Sequence, residues 1–111
     1  LVILFAKKKL QKCCNSMRLA QKTWGTNRGK LVMRRLDEMK DAETLADFRK
    51  VHARCHLLTG DREGKWSADV EQPYRLIFEP ANKPLPLRQD GGLDPARVTA
   101  VRILSIEDTH G

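Results

Sequence analysis

The sequence predicts a small α+β fold: an N-terminal strand and two helices packed on an antiparallel sheet of about four to five strands. Three observations carry this expectation. The chain opens on the short apolar run Val2-Ile3-Leu4-Phe5. A basic stretch follows whose apolar residues recur at helical spacing. From residue 54 the apolar period changes to two, the repeat of a strand.

Taken in order, residues 2–5 suit a buried strand. Residues 7–24, KKKLQKCCNSMRLAQKTW, contain neither proline nor glycine and space Leu10, Cys14, Met17 and Leu19 roughly helically, which predicts the first helix. Gly25, Asn27 and Gly29 interrupt it. A second helix is expected beyond them, with Val32, Leu36 and Met39 at i, i+4 and i+7 as its apolar stripe. Arg34 and Arg35 fall off that stripe, and Asp37 and Glu38 stand three residues on as possible partners. Thr44 followed by Asp47 is an N-cap pattern for a short helical turn through Phe48. RCHLLT (54–59), KWSADV (65–70) and YRLIFE (74–79) then read as three antiparallel strands. GDREG closes the first hairpin and Gln72-Pro73 the second. The last strand, 98–108, is apolar on both parities, as a central strand is. The intervening segment 80–97, PANKPLPLRQDGGLDPAR, carries four prolines and two glycines and predicts a long irregular loop. No internal repeat is present, and 111 residues fit a single domain spanning 1–111.

A composition of 41% hydrophobic and 32% charged residues points to a globular chain and against wholesale disorder. The longest apolar run, LVILFA, is too short to span a bilayer, and basic residues follow it, whereas a secretory signal carries them in front. A cytoplasmic protein without a membrane partner is expected. Cys13, Cys14 and Cys55 are an odd number with a vicinal pair, which suits reduced thiols better than a disulfide framework. There is no Cys-x-x-Cys pair, and strand parity sets Cys55 opposite His56, so neither metal nor cofactor is expected. The net charge of +7 is uneven: ten lysines and arginines precede the first acidic residue, Asp37. Such a segment attracts polyanions through phosphate neutralisation and counterion release, which makes Lys7, Lys8, Lys9, Lys12, Arg34 and Arg35 candidate phosphate contacts.

Strand parity then gathers a candidate site. If the apolar set of each strand forms the core, His56, Lys65, Ser67 and Arg75 share the opposite face, and Arg54 has the same parity as His56. A cationic sheet face bearing an imidazole can hold a phosphodiester, stabilise its developing charge through Arg75 and move a proton through His56.

The motifs on these strands resemble a known family. His56 is followed by Gly60-Asp61-Arg62-Glu63-Gly64-Lys65-Trp66-Ser67, then Tyr74-Arg75-Leu76-Ile77-Phe78, then Glu107-Asp108-Thr109-His110. In that order they resemble the HigB-like branch of the RelE/ParE toxin superfamily, some of whose members are labelled killer suppression or plasmid maintenance proteins. The match is close over the C-terminal half and covers only element order and basic character in the N-terminal half. The resemblance implies the toxin of a type II toxin–antitoxin system, a ribosome-dependent mRNA endonuclease (mRNA interferase) that inhibits translation. It implies a helix-turn-helix antitoxin, the ribosome and mRNA as partners, with operator DNA met only through the antitoxin complex. No metal is needed, because the substrate's own 2′-hydroxyl attacks the adjacent phosphate. Carried across by position, His56 and His110 would transfer protons, Arg75 would stabilise the phosphorane-like transition state, and Arg62 would position phosphate. Two departures bear on catalysis. Many HigB proteins have lysine where this chain has Thr59, and the terminal motif usually has tyrosine where it has Thr109. Catalysis would then be weakened, or rest on other residues such as Lys65. The loop at 80–97 lengthens the chain relative to compact members. A ParE-like DNA gyrase inhibitor and a catalytically impaired antitoxin-binding relative share the fold and are the competing expectations.

Overall fold

The basic segment that the sequence reads as one helix folds as two. The computed structural model describes residues 1–108. After β1 (Val2–Phe5), helix α1 (Lys8–Cys14) stops at Asn15, and Ser16 caps α2 (Met17–Trp24) by accepting a hydrogen bond from the Leu19 N–H at 3.3 Å. Asparagine and serine side chains compete with the helical backbone for hydrogen bonds, so the pair acts as a break and a start rather than as helix interior.

Only one of the two glycines interrupts the helices. Gly25, at φ +96°, ends α2, and α3 (Thr26–Asp41) begins beside it. Gly29 lies inside α3, where α2 crosses. A Cβ there would stand 2.7 Å from Gln21 Cα and N and 2.8 Å from Ala20 C, all of them backbone atoms. Gly29→Ala is therefore expected to destabilise by about 1–3 kcal/mol through overpacking, although alanine is the better helix former. A urea midpoint that rises in this variant would refute the close approach.

The remaining elements follow the predicted pattern. Val32, Leu36 and Met39 are buried along α3. The Thr44 hydroxyl accepts from the Asp47 N–H at 3.2 Å, and α4 (Leu45–Val51) buries Leu45 and Phe48. Strands β2 (Cys55–Leu57), β3 (Trp66–Asp69), β4 (Tyr74–Pro80) and β5 (Ala100–Asp108) complete a five-stranded sheet of order β1-β5-β4-β3-β2. The segment 80–97 is irregular apart from a Leu87–Leu93 bridge and a 3₁₀ turn, Pro95–Arg97, which packs on α4.

The sheet is mixed, not antiparallel throughout: β1 pairs with β5 in parallel, Val2 opposite Ala100 and Phe5 opposite Ile103. The helices return the chain to the far edge, where β2 runs against β1. Three antiparallel steps then bring β5 in along the direction of β1. As its two-sided apolar character predicts, β5 lies between β1 and β4.

One face of the sheet carries the helices. Val32, Leu36, Met39, Leu45 and Phe48 pack in one cluster with Cys55, Trp66, Ala68, Leu76, Phe78, Val101 and Ile103. Cys14 and Cys55 fill space in this core, and burial pushes both thiols up to about 12. Among the described residues no helix is long and apolar enough to cross a membrane.

Candidate functional site

The register of β2 to β5 sets out the opposite face in rows. Asp69 stands across from Arg75, and Arg75 from Glu107. Arg54, just before β2, joins this row, since its carbonyl accepts the Asp69 N–H. The next row is His56, Ser67, Ile77 and Ser105. Beyond it, Lys65 meets the backbone of Leu58, and Glu79 faces Arg102. Alternation along each strand turns these side chains away from the helices. The sequence-predicted set His56, Lys65, Arg75 and Arg54 is thus brought to one side of the sheet.

Ser67 is a correction. Parity puts it on this face, but it is fully buried, and its hydroxyl has no hydrogen-bond partner among the described residues. A serine in the middle of β3, between His56 and Ile77 across the strands and Lys65 and Asp69 along its own, is too short to rise above its neighbours. Ile77 is 1% exposed in the same row.

The electrostatics are a second correction. The expected open cationic surface is instead a set of arginines tied to carboxylates. Buried Asp69 accepts from Arg54 Nε and from Gln72 Nε2, and Arg75 Nε lies 3.4 Å from its other oxygen. Burial opposes ionisation of Asp69, but the hydrogen bonds from Arg54 and Gln72 and the charges of Arg54 and Arg75 outweigh it and hold the carboxyl below its usual range. Arg62, in the 3₁₀ turn Gly60–Arg62, pairs across the sheet with Glu107. Burial likewise works against Glu107, and Ser105 and Arg62 together hold its carboxyl low. Glu79 and Arg102 pair at 3.1 Å. His56 is exposed and Lys65 half-buried, and neither side chain has a hydrogen-bond or ion-pair partner among the described residues. Thr59 is exposed at the start of the 3₁₀ turn.

The basic helices divide in the same way. Lys7, Lys8, Lys9, Lys12 and Arg34 are exposed. Lys7 and Lys9 also line a cavity of about 240 Å³ beside Ser105, which brings them to the edge of the polar face. Arg35 corrects the expectation of an RNA contact. Its side chain is 15% exposed and donates to the Asp69 carbonyl at 2.9 Å and to Glu38 at 3.0 Å, clamping α3 to β3. His110 lies outside the described residues.

Asp69 and Glu107 are the residues that sequence reasoning missed. The signal was present: Asp69 shares the parity of Lys65 and Ser67, and an acidic residue of that parity beside two arginines is a ready counter-ion. Glu107 was visible only as part of the terminal motif, without a partner.

His52, at the C-cap of α4, supplies a pH test. Its ring lies 5.8 Å from that of Phe48, and its buried Nε2 has no partner among the described residues. Burial first, then the charge of Arg35, lowers its pKa from 6.5, with Glu38 and Asp69 only partly compensating. The unfolded chain therefore binds this proton more readily, and the stability contribution, whole above pH 6.5, is lost as the pH falls through the folded-state value. Melting temperatures at pH 7.5 and 5.5 are expected to differ less in His52→Gln than in the parent.

Comparison of the chain with protein-family models and with curated proteins finds no match.

Proposed function

We propose that the protein is the toxin of a type II toxin–antitoxin pair, a ribosome-dependent endoribonuclease of the cytoplasm that cleaves mRNA. The observation that carries this reading is the placement of His56, Lys65 and Arg75 on one face of the sheet, in successive rows of the strands whose motifs resemble the HigB-like toxins. The substrate's 2′-hydroxyl attacks the adjacent phosphorus as His56 takes its proton. The P–O5′ bond breaks, leaving a 2′,3′-cyclic phosphate, and an acid protonates the departing 5′-oxygen. Lys65 and His110 are the candidates for that acid. Arg75 neutralises the charge that builds on the non-bridging oxygens. Arg62 and the lysines of α1 hold flanking phosphates, and the antitoxin is a helix-turn-helix protein that occludes the face.

The test is a reporter mRNA incubated with purified protein, with and without ribosomes, alongside a gyrase supercoiling assay. Cleavage that requires ribosomes and leaves cyclic phosphate ends supports the reading. Gyrase inhibition without cleavage would replace it with the ParE-like one. The prior pairing of Arg54, Arg62 and Arg75 with carboxylates favours a second reading, an impaired relative that only binds antitoxin. That reading stands if neither activity appears while the antitoxin still binds.

A further inference from the structure

The arginines of the sheet face are already paired, whereas Arg49 and Arg88, away from that face, have no ion pair among the described residues. The last turn of α4 carries Arg49 and Lys50, and the 80–97 segment brings Arg88 and Asp94 against it. Between them lies a cavity of about 380 Å³ with small residues, Ala53 and Ala96, in its wall. The Arg49 guanidinium sits 5.0 Å over the Trp66 ring, which favours its place by cation–π attraction. Arg88 is set by a tight turn, its N–H donating to Gly92 O at 2.7 Å and its carbonyl accepting from Gly91 at 2.9 Å. Neither arginine has a carboxylate within ion-pair distance among the described residues, and Lys50 reaches only a half-buried Asp47 at 4.0 Å. The one acidic group in the wall, Asp94, is engaged by Arg97 at 2.9 Å and by the Ala96 N–H at 3.1 Å, and the more distant charge of Arg88 adds to theirs in holding its carboxyl low.

We infer that this cavity between α4 and the proline-rich loop binds a phosphate group through Arg49, Lys50 and Arg88. Three cations from two chain segments around one small-walled cavity match the charge and the several acceptor oxygens of a phosphate better than a single carboxylate, and guanidinium forks suit its geometry. The phosphate is either one of an RNA backbone or a free phosphate. A backbone phosphate is within reach of the sheet face: the chain from Lys50 to Arg54 spans at most about 15 Å. The site does not depend on cleavage at the sheet face, and it assigns a task to the loop that lengthens this chain.

The test has two arms on the full chain. Inorganic phosphate, titrated at constant ionic strength and followed by amide ¹H–¹⁵N spectra, is expected to shift Arg49, Lys50 and Arg88 saturably. Arg88→Ala should weaken this about tenfold or more, as for a lost charged hydrogen bond, while Lys83→Ala in the same loop leaves it unchanged. In the second arm a fluorescent oligoribonucleotide is bound over a range of salt. If the ligand is an RNA backbone, Arg88→Ala lowers the log–log salt slope by about 0.7. An unchanged slope, while Arg88→Ala still weakens the binding of inorganic phosphate, assigns the site to free phosphate. Non-saturating shifts spread over the whole basic surface, or unaltered phosphate affinity in a folded Arg88→Ala protein, overturn the proposal.

Discussion

Arg75→Ala is expected to lower the proposed mRNA cleavage by about 100- to 1000-fold while leaving the chain folded, the loss typical of one removed donor at a charge-developing centre. Arg75 projects from β4 next to the row of His56, and 33% of its side chain is exposed. Its Nε faces Asp69, which leaves the terminal nitrogens for a phosphate. The variant does not strand a buried charge, because Arg54 and Gln72 still donate to Asp69. That is why activity and stability separate at this position. Arg75→Lys keeps the charge without the planar fork and should recover only part of the rate. Asp69→Asn leaves Arg75 in place but unanchored, so a smaller loss is expected there. Single-turnover cleavage rates and urea midpoints, measured side by side, check all three. Full cleavage by Arg75→Ala would refute the proposed role of this residue.

Phe48→Ala should be the most destabilising simple truncation in the helical layer, costing about 3–5 kcal/mol. Phe48 is fully buried in α4 and meets the edge of Phe78 at 6.4 Å and 82°, which ties the helix to the centre of the sheet. A seven-residue helix gains little from its own backbone, so Leu45 and Phe48 are what hold it. The loss is a large share of the roughly 5–15 kcal/mol that a domain has in total. Val51→Ala on the same helix, at 66% exposure, should change stability by less than about 0.5 kcal/mol. The two midpoints from urea denaturation make the comparison. A cost below about 1 kcal/mol for Phe48→Ala would mean that α4 is not anchored as described.

Local pattern made most of the fold legible. The α3 stripe, the Thr44 cap, the three hairpin-linked strands and the two-sided β5 follow from periodicities and capping chemistry that act within a few residues. The Asn15-Ser16 break was missed because spacing alone does not weigh a side chain's competition for backbone hydrogen bonds. Gly29 was misread because a glycine that breaks a helix and one that admits a neighbouring helix look alike until that neighbour is placed.

The candidate site divides along the same line. Strand parity is an intrinsic property of extended backbone, so the sequence by itself determined that His56, Lys65 and Arg75 share a face and that Cys55 turns inward. Which charges meet across that face is a matter of register between strands far apart in the chain. Only the tertiary structure decided that Asp69 gathers Arg54 and Arg75, that Glu107 takes Arg62, and that Arg35 is spent on a clamp while Arg49 and Arg88 are left unpaired. Ion pairing falls off over a few ångströms and is indifferent to sequence distance, so no local reading of a basic segment can say which of its cations remain open to a ligand.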